Sequence, residues 1–178
     1  MQTHHVWDPF IRVFHIALAV GFVANALILP NQSTLHLWVG YALGGLVLMR
    51  IFWGLIGPRT ARFSTFLQGP AALFEHLTEI ATHRRRAHRG HSPLGGWMVV
   101  NLLGTVLAIA VSGWMISLGT PALGWAEDLH EGLVVWASLS ISAHVVAVLW
   151  ESRRTGINLI SAMITGRKLT PDGVHLRE

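Results

Sequence analysis

Four histidines, His15, His36, His130 and His144, stand inside long apolar stretches of the sequence. Moving an imidazole from water into hydrocarbon costs free energy unless a partner compensates, so such a residue marks function by default. His130 and His144 lie 14 positions apart. At helical pitch this is a rise of about 21 Å and a return to within about 40° of the same face. Both rings can therefore look into one interior at two depths. His15, about five residues into the first apolar stretch, matches the depth of His144, and His36, at the start of the second, matches His130. Two neutral imidazoles on opposing helices can close both axial positions of a b-type haem. Iron closed in this way transfers electrons rather than binding oxygen. The expected chemistry is electron transfer at two stacked haems, with His15 paired to His144 and His36 to His130 as iron ligands.

Other residues can support or compete with this reading. Gly40 and Gly44 follow His36 at four-residue steps and leave one helix face bare. A flat macrocycle could approach there, or a neighbouring helix in a small-xxx-small contact; Gly104 and Gly113 have the same two readings. Arg12 and Arg50 suit haem propionates, because a guanidinium meets a carboxylate as a bidentate fork. Snorkelling to lipid headgroups is the competing role, especially for Arg12. A zinc site would need clustered ligands, and each tier has two histidines unless Glu127, Asp128 or Glu131 joins the outer pair. Those three acids otherwise read as a solvated helix start. His76, His83, His88 and His91 accompany an arginine run, Arg84 to Arg89, and read as interfacial and lipid-facing.

The elements that must position these residues are four membrane spans. With 52% hydrophobic and 12% charged residues and eight Trp among 178 residues, the chain does not read as a soluble domain. Residues 10–29, 36–56, 95–118 and 129–150 are each long enough to cross about 30 Å of hydrocarbon. Trp38, Trp53, Trp97, Trp114, Trp125 and Trp150 fall near the span ends, where an indole is stable at the interface. Lys and Arg are absent from connections 30–35 and 119–128 and cluster in the connection after the second span and in the tail. By the positive-inside rule both termini are cytoplasmic. The net charge of +4 then describes orientation and lipid contact rather than a nucleic-acid partner. No cysteine is present, so a haem would be held without covalent attachment.

Local signals refine the spans. Asp8 is a plausible N-cap with Pro9 at the first helical position, Pro30 and Asn31 end the first span, and Gly57-Pro58 breaks the second. Residues 71–86 suit a cytoplasmic amphipathic segment along the interface. The tail is polar, with a turn expected at Thr170-Pro171-Asp172-Gly173. The N-terminus lacks signal-peptide features, so the first span is expected to stay as an anchor. The expected fold is a single all-α domain over residues 1–178, an integral membrane four-helix bundle.

In combination these residues resemble the bacterial cytochrome b561 family, which includes the b-type subunits of nickel hydrogenases. Trp7-Asp8 with Arg12-Val13-Phe14-His15 is similar to its opening signature, His36-Leu37-Trp38-Val39-Gly40 to its second-helix motif, His91-Ser92-Pro93-Leu94-Gly95-Gly96 to the entrance of its third helix, and His130-Glu131 with His144 to its fourth-helix pair. The resemblance implies two haems b and electron passage between the quinone pool and a redox partner. A periplasmic cytochrome c is the expected partner, in the bacterial inner membrane, with homo-oligomers open. The alternatives are a membrane anchor of a larger oxidoreductase such as a hydrogenase and, from another class, a haem-free proton or metal transporter. Superoxide oxidation, found in some members, needs a positive outer funnel; the outer connections have no Lys or Arg.

Overall fold

Helix α1, Pro9–Leu27, begins as the sequence predicts: the Asp8 side chain accepts from the Ile11 amide at 3.0 Å, with Pro9 in the first turn. The computed structural model describes residues 2–82, 87–88, 90, 92–119, 124–170 and 176–177. Helix α2, Thr34–Ile56, is capped by Ser33 and stops at Gly57. Between the second and third spans lie a short helix α3, Phe63–Phe66, and helix α4, Pro70–Ala81. Helix α4 realises the helical part of the predicted amphipathic segment; Arg84, Arg85 and Arg86 lie outside the described residues, as do His83, Arg89, His91 and positions 171–173 of the expected turn. The other two spans are α5, Pro93–Ser117, capped by Ser92, and α6, Trp125–Thr155.

Helix α6 extends beyond both ends of the predicted span because hydropathy ends at polar residues while helical hydrogen bonding does not. Its first turn holds Glu127 and Asp128, and its last holds Arg153 and Arg154, each sign complementing the helix dipole. Arg154 grips Glu151 through two bonds of 2.8 Å, and Gly156 ends the helix at φ 72°. The first span is shorter than expected: α1 ends at Leu27, three residues before Pro30.

All four spans are long and apolar enough to cross a membrane, and only 11% to 28% of each span's most apolar window is buried inside the protein. The remaining apolar surface needs lipid as its solvent. The interior is small, built on Phe14, Phe22, Leu43, Val47, Leu103, Val106 and Ala137. Small residues set the helix spacing: a Cβ at Gly21 would lie 2.8 Å from Leu43, and one at Gly44 would lie 2.9 Å from Ala110 on α5. Asn101 on α5 donates to Ser140 of α6 at 3.0 Å and accepts from Trp136 Nε1 at 3.1 Å. Tyr41 and Ser117 join α2 to α5 at 2.9 Å. The packing is serial: α1 lies on α2, α2 on α5 and α5 on α6, while α6 packs closely on neither α1 nor α2.

The polar tail has more structure than its composition suggests. Helix α7, Leu159–Thr165, is capped by Asn158, and strand β3, Arg167–Thr170, pairs antiparallel with strand β1, Gln2–His5. Here β2 is Ala87–His88, and it pairs in parallel with β4, Leu176–Arg177. The beginning and the tail of the chain therefore meet at one end of the bundle. Within this clasp Lys168 is buried, and its ammonium donates to the Gly90 carbonyl at 3.1 Å. Burial pushes it down to about 8 from 10.5, with Glu151 opposing the shift.

Between those two values an undocked tail retains the Lys168 proton and the docked tail does not, so docking strengthens as pH rises from about 8 to 10.5. The rate at which subtilisin nicks the tail of the detergent-solubilised protein is expected to fall over that interval. Lys168→Met, neutral throughout, should abolish the pH dependence; an unchanged profile in that variant would rule the lysine out as its source.

Candidate cofactor sites

Helical rise places His15 and His144 at one level and His36 and His130 at another. His15 is two turns into α1, His36 is in the first turn of α2, and His130 and His144 share α6. The His15 and His144 ring centroids are 6.4 Å apart with planes at 54°, and those of His36 and His130 are 6.4 Å apart at 60°. These separations exceed parallel stacking and lie in the range of tilted, edge-on ring pairs. A metal bonded at about 2 Å to one nitrogen of each ring, with each ring centre ~1.2 Å further out, sets the centroids roughly 6.3 Å apart. Both pairs therefore have the spacing of a bis-imidazole metal site. Each pair also bridges helices that do not pack closely, α1 with α6 and α2 with α6.

Hydrogen bonds orient the second pair. His36 Nδ1 lies 3.2 Å from the Asn25 carbonyl oxygen, and His130 Nδ1 lies 3.1 Å from that of Ile109. A carbonyl can only accept, so each Nδ1 carries the proton and each Nε2 keeps its lone pair. A carbonyl behind an imidazole also raises its basicity as a ligand. The Ser112 hydroxyl donates to the Ile109 carbonyl at 3.0 Å and receives a second approach from His130 Nδ1 at 3.0 Å. Gly113 gives that ring room, since an added Cβ would stand 3.3 Å from His130 Cε1. Asn25 and Ser112 were not singled out from sequence: a backbone acceptor leaves no residue-type signal, and a serine in a span usually bonds its own helix.

The remaining expected residues divide. Gly44 faces Ala110, so at this position the small-residue helix contact is realised, while Gly40 lies beside Asn25 of α1, whose Nδ2 would be 3.7 Å from an added Cβ. Gly104 has nothing within 4 Å of that point. Arg50 is buried, donates to the Ala61 carbonyl at 3.1 Å and has Phe63 4.8 Å beneath its guanidinium carbon. Its Nη1 is buried without an acceptor, as is Trp53 Nε1. A carboxylate would satisfy the arginine. Arg12 donates to the Ile164 carbonyl and lines a different cavity, beside α7. Glu127 and Asp128 are exposed in the first turn of α6. Among the described residues no three metal-ligating side chains converge.

The prokaryotic cytochrome b561 family model matches residues 6–166, which include all four spans and all four histidines. The chain belongs to this family of membrane b-type cytochromes, which bind haem b and transfer electrons. It is accordingly a multi-pass protein of the bacterial inner membrane. No curated protein and no solved structure matches it.

Gly113→Val is expected to push the His130 ring aside and lower haem content severalfold at that site, assayed as pyridine haemochrome per chain. Gly45→Val, at a position with nothing within 4 Å, should leave it unchanged. Equal haem in both variants would show that Gly113 does not shape the site.

Proposed function

We propose that the chain carries two haems b, one between His15 and His144 and one between His36 and His130, and passes electrons across the bilayer. The equal 6.4 Å spacing of both pairs, each between helices that do not pack closely, carries this reading. When bound, haem b supplies reversible one-electron chemistry at iron. The protein holds the imidazoles at two depths, fixes the tautomer of His36 and His130 through backbone carbonyls, and excludes water with apolar helix faces. Arg50, with one buried N–H lacking an acceptor, is the propionate partner we assign.

The positive-inside distribution puts the clasped termini in the cytoplasm and the His36–His130 pair near the periplasmic face. In this orientation Glu127, Asp128 and Glu131 form an acidic rim near the outer pair, suited to a basic redox protein such as a periplasmic cytochrome c. The quinone pool is the second reactant in this reading. The His130 and His144 positions are about 21 Å apart along α6, so the two sites divide the bilayer thickness between them.

Pyridine-haemochrome quantification on the wild type, His15→Ala and His36→Ala tests the wiring. We expect about two haems b per wild-type chain and about one in each variant, with the two variants differing in their redox titrations. A wild type that binds one haem would overturn the two-site assignment, and a haem-free preparation would move attention to proton or metal transport.

A further inference from the structure

A half-open cavity of about 550 Å³ lies at the clasped end of the bundle, between β1, the start of α1, α7 and β3. Its lining includes His5, Trp7, Arg12, Ser161, Thr165 and Arg167, and no acidic side chain lines it among the described residues. Arg12 and Arg167 bring two guanidinium groups to this lining. Arg12 spends one terminal nitrogen on the Ile164 carbonyl, and its Nε is buried without an acceptor. Gly166, at φ 78°, lets the chain turn against this arginine: a Cβ there would lie 3.0 Å from the Trp7 carbonyl oxygen and 3.3 Å from Arg12 Cδ.

We propose that this cavity binds the phosphate of an anionic phospholipid headgroup. The Arg12 and Arg167 guanidiniums, the Ser161 hydroxyl and the unused Arg12 N–H supply the donors that a phosphodiester requires; the Thr165 hydroxyl is spent on the Ser161 carbonyl at 2.8 Å. Position argues for a lipid over a free ion. Arg12 is in the first turn of α1, at the level where the span leaves hydrocarbon. Next to the cavity, Ile160 and Ile164 sit four residues apart on one face of α7, 51% and 56% exposed, and Leu169 of β3 is 55% exposed. These apolar side chains would cover the first carbons of the acyl chains while the headgroup enters the cavity. Basic pockets at the cytoplasmic ends of spans recognise anionic headgroups by this combination of charge and depth. The lipid would bridge α1, α7 and β3 and strengthen the clasp between the two ends of the chain.

Native mass spectrometry of the delipidated full chain in detergent tests the site, with phosphatidylglycerol, phosphatidylcholine of the same acyl chains and inorganic phosphate as probes. We expect one phosphatidylglycerol retained in preference to phosphatidylcholine. Arg167→Gln, on an outward position of β3, should weaken that binding about fivefold at unchanged haem content, and adding Arg12→Gln should weaken it about fivefold more. Should Arg12→Gln fail to fold, Arg167→Gln alone decides. Equal retention of the two lipids, or phosphatidylglycerol binding unaltered in Arg167→Gln, would overturn the proposal. Full displacement of the lipid by inorganic phosphate would reassign the cavity to a free anion. Loss of haem with lipid retained in Arg12→Gln would return that arginine to the cofactor. Lipid and haem are counted separately, so this test stands whether or not the two-haem assignment does.

Discussion

A hydrocarbon solvent permits few polar side chains, and those it admits must find partners within the protein. The four spans meet much of this constraint with a short set of polar contacts, Arg50 Nη1 and Trp53 Nε1 aside. Asn101 is shared between Ser140 and Trp136, Ser112 joins His130 at the Ile109 carbonyl, and Tyr41 meets Ser117. The histidines are the largest remaining demand. Two of them turn one nitrogen to a backbone carbonyl, and all four face another imidazole at the spacing a bridging metal would need. The serial packing follows from the same demand: α6 rests on α5 and stands off from α1 and α2, across which its histidines reach.

Small residues and aromatic residues divide the remaining work. Gly21 and Gly44 allow close helix contact with Leu43 and Ala110, which fixes α1, α2 and α5 as a rigid wall. Arg50 ties that wall to the connection beyond it, through Ala61 and the face of Phe63. Rings at the span ends, such as Phe10 against Trp53 at 5.0 Å, close the interior near the same end. Rigidity matters because a ligand set is useful to an electron-transfer site only if its geometry changes little between oxidation states.

Much of this was legible in the sequence, for physical reasons. Spans are readable because lipid imposes length and hydropathy on them, and the two tiers because helical rise is fixed. Asp8, Pro9 and Gly57 acted as local start and stop signals that need no tertiary context. The extensions of α6 escaped a hydropathy reading because Glu127 and Arg154 belong to the helix but not to the hydrocarbon. The clasp escaped it because pairing of Gln2 with Thr170 is set by backbone register across the whole chain, with no periodic pattern in so short a strand. Whether a glycine makes room for a helix or for a side chain is likewise a matter of what stands opposite: Ala110 at Gly44, the His130 ring at Gly113.

That α6 supplies one histidine to each pair has a bearing on biosynthesis. Synthesis runs from the N-terminus, so α1 and α2 enter the membrane with His15 and His36 alone. A chain stopped before Trp125 holds half of each pair, and strand β1 waits still longer, until Arg167–Thr170 has left the ribosome. Both proposed sites would therefore be completed together by α6, and β1 is paired only after it. In the proposed wiring, the order of the helices leaves neither site complete before α6 is made.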